Sequence, residues 1–221
     1  MMIAPIDMTL NELQAELAGR LAQHAVFDGW SNAALAAAAA ELGVPADRAA
    51  LCFPGGAIDM VDAWFASIDD KMIESLATQD VQTMKVRDRI RAAMLARLDE
   101  ATRLPDALRR ALTILARPSN AVRASKLGWR SADAMWRAVG DSSVDFAWYT
   151  KRTTLAAIYA ATLMAWMDDD SDNFADTRTF LDRRIDDVMR FESFKRRIKP
   201  DPDRYFSPAR FVGRLRYRIQ G

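Results

Sequence analysis

One cysteine and one histidine are all that 221 residues offer of the two side chains that most often bind metals. A lone Cys52 excludes an intramolecular disulfide and a cysteine-based zinc site, and it suits a reducing compartment. His24 has no second histidine to pair with, and the chain holds no Glu-x-x-His motif of the kind that builds a di-iron centre. No Gly-Lys-Ser/Thr follows Gly55-Gly56, so that pair is not a phosphate loop. The start, MMIAPIDMTL, lacks a basic stretch followed by an apolar run; it reads neither as a secretory signal nor as an Arg-rich transit peptide. With so few candidates no nucleophile–base pair can be assembled. The expectation is a protein that is not an enzyme and has no metal and no cofactor, in a cytoplasmic setting.

Half of the residues are hydrophobic, enough for a substantial core. No stretch alternates like a strand, and Gly and Pro fall between segments of helical period, so the fold class is all-α. The spacing predicts helices over about 9–27, 32–42, a short one after Pro45, one from Ala57, then 81–103, 106–116, 119–127, 132–139, 145–167 and 173–198. Leu10, Leu13, Leu17, Leu21 and Ala25 share a face of the first helix. Gly29, Gly43 and Gly140 suit helix ends. Charge divides the chain. Residues 1–75 carry three basic and eleven acidic side chains, a balance of −8; residues 195–221 carry nine basic and two acidic, a balance of +7. Such ends should have different partners. Three regions follow: 1–78, a helix-turn-helix-like subdomain; 79–199, a helical ligand-binding and dimerisation domain; and 200–221, a basic tail.

The most unusual segment is the helix from about Asp145 to Met167. Ser142 and Asp145 have capping-box spacing. Between Leu155 and Met167 only Thr162 is clearly polar. Those residues rise about 20 Å, too little for a bilayer core of about 30 Å. The helix is therefore expected to be central, covered by protein or by an apolar ligand. Tyr149, Thr153, Ala156, Ala160, Leu163 and Met167 form one stripe; Trp148, Leu155, Tyr159 and Trp166 form another. Aromatic and Met side chains on small-residue turns suit an adaptable cavity as well as a plain core.

Two stretches invite other chemistry. SNAALAAAAAELGVPADRAALCFPGG has the spacing of a helix-turn-helix and resembles the N-terminal domain of TetR regulators. DNA binding rests on Lys and Arg neutralising phosphates. Here the recognition segment, Ala46 to Cys52, holds only Arg48, beside Asp47, inside the acidic region. No nucleic-acid partner is expected, although a ligand-responsive transcription regulator is the alternative reading. DDDSD, from Asp168 to Asp172, matches the Asp-Asp-x-x-Asp pattern that holds magnesium diphosphate, but no second acidic motif faces it. As a calcium loop it fails at Asn173 and Thr179. A solvated acidic loop that favours the next helix's N-terminus is the expectation.

GDSSVDFAWYTKR (Gly140 to Arg152), LAAIY (Leu155 to Tyr159), FADTRTFLDRRIDD (Phe174 to Asp187) and the upstream FDGWSNAALAAAAAELGV (Phe27 to Val44) carry a more specific likeness. They resemble the Coq-nine family, accessory proteins of ubiquinone (coenzyme Q) biosynthesis. The resemblance implies a TetR-like homodimer that binds isoprenoid lipid rather than DNA. It implies a carrier that presents a polyprenyl quinone intermediate to the di-iron demethoxyubiquinone hydroxylase. Carried over, the partner patch would hold Met135, Asp145, Trp148, Tyr149 and Arg152. Lipid would lie against Leu155, Ile158, Tyr159, Leu163 and Trp166. The family also docks a C-terminal amphipathic helix on membranes. In this chain Phe191 and Phe194 adjoin Lys195, Arg196 and Arg197, and Phe211 and Leu215 lie among Arg210, Arg214 and Arg216. Basic flanks around an apolar arc suit anionic lipid, so a peripheral position on the inner face of the cell membrane is expected. The KPDPDRYFSP interruption leaves open which piece docks.

Overall fold

The structure, a computed structural model, describes residues 4–141 and 146–198. Every regular element among them is helical: α1 (Leu10–Asp28), α2 (Asn32–Glu41), α3 (Ala46–Leu51), α4 (Ala57–Ala77), α5 (Val86–Ala101), α6 (Pro105–Leu115), α7 (Ala121–Ala138), α8 (Phe146–Met167) and α9 (Ala175–Ile198). The all-α expectation holds. Two compact units divide the chain, the first ending at Asp182 and the second beginning at Arg183. The described part of the second is helical, with Arg184 paired to Asp187 at 2.9 Å.

α1 starts where a capping box places it. Thr9 accepts from the Glu12 amide, and the Glu12 carboxylate takes the Thr9 amide in return. Leu13, Leu17, Leu21 and Ala25 are fully buried, as their spacing predicts, while Leu10 is exposed at the helix entry. Gly29 ends the helix with φ +67°, a conformation that costs Gly little, and its amide caps Ala25. α1 packs on α2, α4 and α6. Trp30 joins these layers: its ring lies 5.2 Å from Trp64, and its indole N–H donates to the Ala107 carbonyl at 3.0 Å. The FPGG turn has a specific cause. Gly56 takes φ +66°, and the Gly55 amide donates to the Asp59 carboxylate so closely that a Cβ at 55 would stand 2.7 Å from it.

Two predicted boundaries change. The helix expected over 81–103 is broken into a single turn at Val81–Thr83 and α5 from Val86. Thr83 donates its hydroxyl to Asp80 O, and Arg89 donates to Met84 O, so the break has local hydrogen bonds of its own. The helices expected at 119–127 and 132–139 are one continuous helix, α7. Gly128, which falls between the two expected spans, sits mid-helix, with no atom beyond its own helix backbone within 4 Å of where a Cβ would be. In α4 and α5 the buried residues recur every three to four positions, from Met60, Trp64 and Ile68 to Met72, and from Ile90, Met94 and Arg97 to Ala101. The start of α9 is tied to α5 by Arg91–Asp182 and Arg178–Asp99.

A candidate lipid cavity between α6, α7 and α8

One stripe of α8 faces open space. Ala156, Ala160, Leu163 and Met167 line a cavity of about 430 Å³ together with Tyr159 and Met164. α7 supplies Ala124, Leu127, Gly128 and Met135 to the facing wall, and α6 supplies Leu112 and Leu115. Small residues on two facing helices leave room that larger ones would fill. The volume falls in the range of about 300–1,000 Å³ typical of small-molecule sites. Thr113, Ala116, Ala160 and Met164 are exposed and form the rim.

The inner wall is not wholly apolar. Phe65 of α4, Arg97 of α5 and Ser131 of α7 stand there, all essentially buried. Arg97 Nε donates to Asp69 Oδ1 at 2.6 Å, and its Nη2 donates to Ser131 Oγ at 2.9 Å. The Ser131 hydroxyl donates in turn to Asp69 Oδ2 at 3.0 Å. The guanidinium lies 4.6 Å from the Tyr159 ring centroid and 5.2 Å from that of Phe65. Burial works against the charge on Arg97, but Tyr159 and Asp69 outweigh it and hold the group firmly protonated. Burial raises the Tyr159 hydroxyl above its ordinary value, and nearby Arg97 offsets only part of that. The Tyr159 oxygen is fully enclosed, with the Arg97 guanidinium as its polar neighbour.

The first turn of α8 is built differently. Trp148 packs 5.3 Å from Trp129 and 4.7 Å from Tyr149, and Tyr149 is 59% exposed. Arg152, by contrast, is buried. It reaches back under Trp148, 4.3 Å from its ring, and pairs with Asp133 and, at 3.2 Å, Asp141. Lys151 pairs with Asp141 at 2.6 Å and lies over Trp136.

The residues singled out from sequence therefore separate. Of the lipid set, Tyr159 and Leu163 line the cavity. Leu155 is core, Ile158 is half-buried, and Trp166 is fully buried between Phe174 and Arg109. Of the partner set, Tyr149 is exposed and Trp148 half-buried, Arg152 supports Trp148 from behind, and Met135 lies in the cavity wall. Asp145 lies outside the described residues, as do Phe211 and Leu215 and the side chains of Phe191, Phe194, Lys195, Arg196 and Arg197. Sequence reasoning missed Arg97, Ser131, Gly128 and the α6 wall. A signal existed for Arg97: it falls in phase with Ile90, Met94 and Ala101.

The acidic loop has a defined task. Asp169 is buried and accepts from the amides and hydroxyls of Ser171 and Thr177, fastening the entry to α9. Desolvation opposes its charge, but the Ser171 and Thr177 hydrogen bonds prevail and hold its carboxyl well below the usual carboxylate range. No cluster of three metal-ligating side chains occurs among the described residues. His24 meets Glu41 at 2.8 Å, and Cys52 is a buried thiol whose pKa burial raises. In α3 the single basic residue is engaged internally: Arg48 Nη2 donates to Met8 O.

Fold and cavity define a class, an all-α protein with a TetR-like fold, a helix-turn-helix-like front and a cavity between α6, α7 and α8. A solved TetR transcriptional regulator from Nitrosomonas europaea superposes with a TM-score of 0.63 at 22% identity, over 80% of this chain and 98% of that one. A family model described as COQ9 matches residues 121–192, which span α7, α8 and most of α9. Ubiquinone biosynthesis protein COQ9, mitochondrial, from Rattus norvegicus is 30% identical over 177 residues, 77% of this chain and 57% of that protein. The Homo sapiens protein of that name is 30% identical over 178 residues, 77% of this chain and 56% of the relative. A probable counterpart from Dictyostelium discoideum is 28% identical over 177 residues, 77% and 58%. The chain is similar to these COQ9 proteins over 77% of its own length and spans less than two thirds of theirs.

Proposed function

We propose that this chain is a non-enzymatic lipid-binding accessory protein of ubiquinone biosynthesis. It takes a polyprenyl quinone intermediate from the membrane and presents it to a demethoxyubiquinone hydroxylase. The observation that carries this reading is the cavity of about 430 Å³ between α6, α7 and α8, apolar over most of its wall. A long polyprenyl tail is nearly insoluble, because each buried methylene is worth about 0.8 kcal/mol against water. A protein that shields part of that tail raises the local supply of substrate, and in this reading the chain itself makes and breaks no bond. Trp148 and Tyr149, side by side at the start of α8, offer a surface of the kind that anchors partner proteins. The basic C-terminal residues would hold a homodimer peripherally on the inner face of the cell membrane. No helix among the described residues is long and apolar enough to cross a membrane. The relatives are mitochondrial by name.

The test is to purify the protein without detergent, extract it with organic solvent and identify the lipid by mass spectrometry. A polyprenyl quinone or its precursor is expected. A folded preparation with an empty extract rejects the carrier reading. Trp148→Lys should abolish hydroxylase pull-down without unfolding the protein. Liposome flotation should be lost on truncation to residue 189.

A transcription regulator is the competing reading, favoured by the name of the structural neighbour. The engagement of Arg48 with Met8 O and the acidic balance of residues 1–75 stand against it. A salt-dependent shift of promoter DNA would reverse that judgement.

A further inference from the structure

The helix-turn-helix-like front carries a surface that is apolar and acidic at once. Two hydrogen bonds tie the start of α1 to α3: Arg48 Nη2 donates to Met8 O at 2.5 Å, and Gln14 Nε2 donates to Cys52 O at 2.7 Å. Leu10 lies between Met8 and Gln14, and Leu51 between Arg48 and Cys52, so the two leucines come from segments held side by side. Leu10 is 45% exposed and Leu51 65%. Ile6, in the single turn Pro5–Asp7 before α1, is exposed as well. One exposed apolar residue is ordinary on a protein surface; three on adjoining segments form a patch, and patches mark contacts.

The charge around the patch selects what covers it. Residues 4–19 hold no Lys or Arg, and Asp7, Glu12 and Glu16 are exposed among them. On α3 Asp47 is exposed, while Arg48, its one basic residue, is engaged with the Met8 carbonyl. Glu16 pairs with Arg20 at 3.1 Å; Asp7, Glu12 and Asp47 have no basic partner among the described residues. Nucleic acids and anionic bilayers carry the same sign and are repelled. The covering partner has to bring apolar side chains and positive charge together, which is the chemistry of a basic amphipathic peptide. The chain itself contains a segment of that composition. Residues 204–221 hold five arginines and no acidic side chain, with Phe206, Phe211, Leu215 and Ile219 among them.

We propose that the face formed by the start of α1 and by α3 is a docking surface for the basic C-terminal segment, residues 204–221, of a second copy of this chain. Contact with Ile6, Leu10 and Leu51 supplies the affinity, and the acids around them select a basic segment over a neutral or acidic one. The surface lies where a helix-turn-helix protein would meet DNA, with the charge requirement reversed. A segment held there is not free to lie on a membrane, so the contact regulates docking on anionic lipid. The surface is separate from the cavity and does not depend on the lipid-carrier reading.

The experiment follows the fluorescence anisotropy of a labelled peptide of residues 204–221 as the full chain is added. Saturable binding that weakens with salt is expected. Leu51→Lys exchanges an apolar contact for a charge of the peptide's own sign and should weaken binding about tenfold. No binding, or binding untouched by Leu51→Lys, overturns the proposal. A peptide in which Phe206, Phe211, Leu215 and Ile219 are replaced by Ser keeps its five arginines. If it binds as well as the native peptide, only a diffuse acidic field is at work and the docking surface is rejected. A second measurement needs no change on the front at all. Cys52 is buried, so a nitroxide on Gly213→Cys marks the C-terminal segment alone. Spin-labelled copies mixed with isotope-labelled copies of the unmodified full chain should broaden the amide resonances of residues 6–12 and 46–52. Broadening confined to α6–α8, or none, overturns the assignment to a second copy.

Discussion

The front and rear halves of the first unit use small residues to opposite ends. Where α1 meets α2, Ala18, Ala22 and Ala25 face Ala34, Ala38 and Ala39, and all six are completely buried. Alanine there lets two backbones approach, and large side chains such as Trp30, Trp64 and Phe65 fill what remains. Where α7 meets α8, Ala124, Gly128, Ala132, Ala156 and Ala160 face a cavity instead. Small side chains therefore do not by themselves mean close packing. What decides is whether the neighbouring helices are free to move in, and the ion-paired cluster at the inner wall fixes α4, α5 and α7 in place.

That explanation is exposed to its largest test at Asp69. Removing one partner of a buried pair strands the other charge, so Asp69→Ala should cost about 3–5 kcal/mol in urea unfolding. A loss near zero would mean that the cluster holds nothing apart. The halves can next be compared directly by truncating one leucine in each. Leu17→Ala in α1 should cost about 2–5 kcal/mol, because it opens a new cavity in a filled core. Leu163→Ala should cost less, because its side chain already borders empty space. Equal losses would erase the contrast.

A smaller effect sits at the exit of α8. Asp169→Asn weakens the cap on α9 and should cost about 1 kcal/mol at neutral pH, in line with other caps. The native carboxyl has a lowered pKa, so its contribution is fully present above the ordinary value of 3.8 and is lost as pH falls through the lowered one. The gap between wild type and variant should hold steady from about pH 5 to 7 and close in acid. The smallest change in stability, and of opposite sign, is expected at Gly128. Gly128→Leu should gain up to about 1 kcal/mol in helix propensity while filling the cavity and abolishing co-purified lipid. Lipid retention would show that the ligand lies elsewhere.

Much of this architecture was legible from the sequence. Gly29 and Gly43 end helices as expected, and the leucine spacing of α1 gives its buried face. The stripe Ala156, Ala160, Leu163 and Met167 was visible as a face of α8. Which stripe would meet the core was not, because periodicity sorts residues into faces without saying what each face touches. Trp166 therefore stood among the lipid contacts and is in fact packed against Phe174 and Arg109. The polar wall was illegible for a related reason. Asp69 and Ser131 read, one at a time, as ordinary surface residues, and the buried phase of Arg97 does not say which groups on two other helices it meets.

Gly128 and the alanines around it have a mechanical consequence. Applied pressure favours whichever state occupies less volume, and an internal void is volume that unfolding removes. The rear half should then be the part of this protein that yields first under compression, while the alanine-zipped front resists. A molecule seated in the void would abolish that weakness. Hydrostatic pressure thus offers a gauge of occupancy that needs no label and works whatever lipid is bound.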